Sequence, residues 1–221
     1  LEGVTAYDDL LPTAYEEVWN GVGSGTSYNA GAASNDTIGY SNSFGAMGIS
    51  LAHSKNGTRA TGDGGNGGTS TTSVSDVVIT LDGSAFVDGL SGGLMQSTES
   101  STVAGVNDGT VTGGWVNYST GPVSLGYRLS ENSAGSGTEK NVEAYAIAFN
   151  VNDEMSLSVA TQDIEFDVPS GTNTTETINA LNASYTMGAA SVRATVSEAS
   201  DDAGVAGADD EHMEISLVLS F

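Results

Sequence analysis

The chain has 221 residues and no cysteine, and its 28 acidic residues against 5 Lys and Arg give a formal charge of −23. So large an acid excess excludes a nucleic-acid binder, whose phosphates demand a basic surface, and disfavours an anionic membrane surface, while the missing cysteines exclude disulfides and thiolate metal sites. No run approaches the eighteen consecutive apolar residues of a spanning helix, which leaves spanning by β-strands open.

The chain opens on "LEGVTAYDDLLPTAYEEVWN" with neither an initiator Met nor a leader, and reads as part of something longer. Residues 1–34 form a segment too long and too apolar for an ordinary turn, and strandless stretches of this length are usually functional. Pro12 suits the first turn of a short helix, where its missing N–H is no loss. On that helix Tyr15, Val18 and Trp19 share one apolar face, Glu17 points the other way with Glu16 beside it, and Asp8 and Asp9 precede them.

From residue 35 onwards the pattern has period two, the signature of strands. Eleven segments follow, at 35–42, 45–54, 74–83, 89–98, 109–118 and 122–131, then 140–151, 154–164, 176–187, 190–199 and 211–221. Their connections alternate short and long, from "SFG" and "KNGTRATGDGGNGGTSTTS" to "GA" and "SDDAGVAGADD". All long loops thus gather at one end, which a soluble meander has no reason to do and a transmembrane β-barrel does. Apolar residues such as Val123, Leu125, Tyr127 and Leu129 alternate with small or polar ones such as Ser124, Gly126, Arg128 and Ser130. The strands at 89–98 and 109–118 are broken by glycines and their faces stay open. A soluble sandwich also alternates along its strands, but here the longest loops exceed any strand. Arg128 and Arg193 fall on the small, polar faces; an arginine facing lipid near the midplane would cost about 2–4 kcal/mol, which independently favours the interior.

The last strand, "HMEISLVLSF", places Met213, Ile215, Leu217, Leu219 and Phe221 on one face and ends on the aromatic. It looks like the assembly signal of Gram-negative outer-membrane barrels, and the whole chain resembles the trimeric general diffusion porins, particularly of the alphaproteobacterial type. The resemblance implies a sixteen-stranded antiparallel barrel in the outer membrane, of which residues 35–221 supply the sixth to sixteenth strands. Residues 1–34 then match the loop that folds into the lumen as the constriction. It further implies that Asp8, Asp9, Glu16 and Glu17 face the pore, with basic groups across it for which Arg128 and Arg193 are the candidates. Tyr15, Val18 and Trp19 would glue the loop to the wall, and Ile215, Leu217, Leu219 and Phe221 would be read by the barrel-assembly machinery. The partners so implied are a homotrimer, outer-membrane lipid and lipopolysaccharide, and small hydrophilic solutes, with no nucleic acid. A ring of carboxylates favours cations. The competing reading is a barrel serving as anchor or adhesin, whose long acidic loops bind a surface partner.

Neither histidine, His53 or His212, has an Asp and Ser set at recognisable spacing, and the paired acids fit solvated charge better than glycosidase carboxylates; the expectation is therefore no enzyme. No cofactor is required. Calcium is the ligand hypothesis, because Asp201, Asp202, Asp209 and Asp210, with Glu211, crowd the last loop, and dense oxygen ligands suit a hard divalent cation.

Overall fold

The computed structural model describes residues 10–22, 32–33, 37–55, 58–59, 73–101, 107–133 and 137–220. All eleven expected strands form, and they make one antiparallel sheet. In chain order they are β1 (Thr37–Phe44), β2 (Met47–Ser54), β3 (Val74–Asp82), β4 (Leu90–Glu99), β5 (Gly109–Thr120) and β6 (Val123–Ser133). Then come β7 (Glu139–Asn150), β8 (Met155–Asp167), β9 (Thr174–Met187), β10 (Ala190–Ser200) and β11 (Asp209–Leu219). Each strand pairs with its sequence neighbours from β1 to β11, a pure meander. Two dipeptide strands, Ala32–Ala33 and Thr58–Arg59, pair separately.

Several strands run longer than their sequence pattern announces. β6 and β8 extend to Ser133 and Asp167, so the connections at 134–138 and 168–173 are no longer than the one at 83–89. The alternation of loop lengths is therefore weaker than expected. Apart from Phe166, the added residues are polar, and all continue the backbone ladder, as in the pairs Asn132 with Lys140 and Glu165 with Thr175. Ladder hydrogen bonds, not apolar pattern, hold them in register.

The two faces differ sharply. One carries Ile79, Leu94, Leu125, Ile147, Val159 and Leu181, all largely exposed. An apolar band of this extent has no place in water, and marks a surface solvated by something else. The opposite face carries Ser54, Ser97, Ser158, Gln162, Asn182 and Thr195, each nearly fully buried. Segment 10–22 lies against this polar, inward face.

The glycine-broken strands acquire definite faces. Leu94 and Val116 point outward, while Met95 and Val111 join Val78 in an inward cluster against which Trp115 packs. Gly93 makes this possible, because a Cβ there would collide with the Trp115 ring and come within 2.7 Å of the Ile79 carbonyl. An aromatic laid across a strand glycine replaces the side-chain packing that the glycine forfeits.

Candidate functional site, a segment docked on the inward face

Segment 10–22 is not a helix. It is a run of bends ending in two turns, with Asn20 N–H donating to the Glu17 carbonyl at 3.2 Å and Val22 N–H to the Trp19 carbonyl at 3.3 Å. The wall supplies the backbone partners that helical bonds would have taken. Ala14 N–H donates to Ser158 Oγ at 2.9 Å. The Asn182 amide serves both sides of one peptide residue, donating to the Glu16 carbonyl at 3.0 Å and accepting from Glu16 N–H at 3.4 Å. Thr13 Oγ1 donates to the same carbonyl at 2.6 Å, and Asn117 Nδ2 holds the Leu10 carbonyl at 2.5 Å.

Apolar contacts complete the attachment. Val18, Trp19 and Val22 keep 3%, 7% and 2% of their exposure and cluster with Val142 on β7, Ile164 and Phe166 on β8, Ile178 and Ala180 on β9, and Ala199 on β10. Val22, which the sequence reading passed over, is among the most completely covered. Without a helix, Tyr15 leaves this group. Its phenol donates to Glu214 Oε1 at 2.6 Å, and the Glu214 carboxylate pushes the phenol pKa above its ordinary value. Asn20 Nδ2 reaches Glu214 Oε2 at 3.5 Å, and His212 Nε2 lies 3.8 Å from the same oxygen.

Two glycines are cut to this docking. A Cβ on Gly126 would overlap Pro12 and approach Leu11 to 2.9 Å, so only a bare strand lets the segment sit down. Gly21 adopts φ +73°, a left-handed conformation, and its open side is filled by the His212 ring.

Three basic residues lie on the inward face around the segment, with Arg128 covered and Arg193 exposed. Arg128 on β6 is 1% exposed, places its guanidinium 5.1 Å from the centre of the Trp19 ring and donates from Nη2 to Gln162 Oε1. Arg193 on β10 sits 5.7 Å from the Tyr15 ring, and Lys140 on β7 sits 4.8 Å from the Phe166 ring. Each of these cations faces an aromatic ring, a favourable arrangement when water is thinned out. The two arginines are thus on the wall that holds the segment. Glu16 and Glu17 are half-buried on the segment itself, while Asp8, Asp9 and Phe221 lie outside the described residues. Ile215, Leu217 and Leu219 line the outward face of β11, half to two-thirds exposed.

In the last loop, Asp201 Oδ1 accepts from Gly207 N–H at 2.6 Å and Asp210 Oδ1 from Glu211 N–H at 2.9 Å. The first closes a turn, and the second joins neighbouring residues at the start of β11. Among the described residues, no set of three or more His, Cys, Asp or Glu is grouped to hold a metal, so Asp201, Asp202, Asp209 and Asp210 are not gathered into one.

No family model and no curated protein sequence matches the chain. Solved structures do. One is the outer-membrane expressed OmpT of Vibrio cholerae, at 12% identity and TM-score 0.62, covering 99% of this chain and 75% of that one. Another is the trimer form of in-vitro folded OmpT of Vibrio cholerae, at 14% identity and TM-score 0.64, covering 99% and 74%.

The fold is that of an outer-membrane β-barrel.

The outward apolar band is then the lipid-facing surface, the inward face is the lumen wall, and outer-membrane placement follows from the fold. One expectation is corrected. The exclusion of enzymatic activity, drawn from histidine spacing, does not stand. The matched structures are of OmpT, and a likeness at 12–14% identity shows the fold alone, which gives no ground for excluding hydrolytic chemistry. Sequence spacing was a poor ground for exclusion, because the fold brings together residues far apart in the chain, as it does Tyr15 and Glu214.

Proposed function

We propose that the protein is a porin: a water-filled outer-membrane channel through which small hydrophilic solutes and ions diffuse passively, with residues 10–22 narrowing the lumen. The observation that carries this reading is the docking of that segment on the inward wall, by side chains from β5, β8, β9 and β11 together with the Trp19 cluster. An ordered segment on a polar lumen wall is a means of setting bore and charge.

Cation preference is part of the proposal. Arg128, Arg193 and Lys140 are three of the chain's five basic residues, and each is set against a ring. With 28 acidic residues against these five, the acid excess sets the potential along the pore. A homotrimer is proposed on the earlier resemblance, supported by the trimer form of the matched OmpT. The test is conductance in planar bilayers with a salt gradient. A stable ohmic channel with a cation-signed reversal potential supports the reading, whereas an electrically silent protein that adheres through its loops supports the anchor.

A further inference from the structure

The outward face is not uniformly apolar. Three cavities on it, of about 410, 380 and 410 Å³, meet end to end: the first two share Gly93, Leu94 and Val116, and the last two share Tyr127, Leu129 and Glu131. The lower two follow the cross-strand row Leu81, Gly92, Val116, Tyr127, and the third continues from Tyr127 past Glu143 to Asp163. A row perpendicular to tilted strands climbs through the membrane. This one starts beside the short connection at 83–89 and rises toward the long-loop end.

The furrow changes chemistry as it rises. Its lower part is bare at Gly92 and Gly114 and walled by Leu94 and Val116, a slot for an alkyl chain. Its upper part is lined by Glu131, Glu143, Asp163 and Glu165, and among the described residues no Lys or Arg lines it. Tyr127 and Tyr145, with ring centres 4.9 Å apart, both donate to Glu143 Oε1, at 2.7 and 2.6 Å. They fix this carboxylate at the top of the slot. Thr177 fixes Asp163 in the same way, donating to Oδ1 at 2.7 Å. Immobilised acids beside lipid need a cation, and no group of three or more metal-ligating residues exists among the described ones.

We propose that this furrow binds a membrane lipid of the outer leaflet with a primary-amine headgroup, its alkyl chain over Gly92 and Gly114 and its ammonium donating to Glu143 and Glu165. An ammonium offers three donors without demanding the close ligand cage of a metal ion. The proposal rests on the outward face meeting lipid, not on the pore reading.

The test is native mass spectrometry of the purified protein in nonionic micelles, titrated with dodecylamine, with dodecanol as the neutral probe of equal chain length, and with magnesium alone. Expected is a saturable dodecylamine adduct weakened about tenfold in the E143Q/E165Q variant, as lost charge-assisted hydrogen bonds predict, with dodecanol weaker and unchanged by the substitutions. The unchanged dodecanol binding also shows that the variant is folded. Equal binding of amine and alcohol, or no effect of the substitutions, overturns the proposal. Magnesium alone binding at the furrow and displacing dodecylamine also overturns it, in favour of a metal site.

Discussion

At the level of single residues, the docking of segment 10–22 depends on a few atoms whose contributions are separable. Trp19 is buried in one cluster with Val142, Ile164 and Phe166, and truncating a buried tryptophan costs about 3–5 kcal/mol. Trp19→Ala is expected to release the segment while the strands persist, read as new protease cleavage within 10–22 on an otherwise intact barrel. Tyr15 adds a pH dependence of definite sign. Its phenol pKa is raised because the protonated form donates to Glu214. That contribution is fully present below the ordinary tyrosine range and is lost as pH rises through the raised value. Current noise is expected to increase at strongly alkaline pH in the wild type, and a Tyr15→Phe variant to show that noise at neutral pH; noise indifferent to both would remove the latch from the account. Little of this was legible beforehand. The roles of Ser158, Asn182 and Glu214 depend on partners more than 140 residues away in the chain, and no local pattern encodes such a pairing. Helical spacing groups Tyr15 with Val18 and Trp19, but the segment is not helical and Tyr15 does not join their cluster.

At the level of elements, the strands were legible where outward and inward residues differ in kind and illegible where glycine removes the difference. β6, with Leu125 and Leu129 against Ser124 and Ser130, declares its faces. β4 and β5 declare theirs only together, since Trp115 on one fills the gap left by Gly93 on the other. Gly93→Val is accordingly expected to destabilise by about 1–3 kcal/mol through overpacking, measured by urea-driven unfolding from vesicles. The lipid-facing assignment is tested by a matched pair. Val159→Arg on the outward face is expected to cost about 2–4 kcal/mol in the same assay. Ser124→Arg on the inward face is expected to cost far less, and equal penalties would contradict the assignment of faces.

At the level of the whole molecule, the acid excess, the missing cysteines and the period-two pattern led directly to the architecture, because a meander needs only local information: each strand pairs with its sequence neighbours. Charge placement needed coordinates. On the inward face, Arg128 is covered against Trp19, whereas Arg193 stays exposed beside Tyr15. Both stand on the wall that holds the segment. The central claim is a hydrated, acid-dominated channel narrowed by segment 10–22. It is tested most directly by comparing the single-channel conductance and reversal potential of wild type and Gly126→Leu, whose new side chain must displace Leu11 and Pro12. The account predicts a cation-preferring channel in the wild type and a changed, noisier conductance in the variant. Identical conductance in the two, or an anion-signed reversal potential, would contradict it.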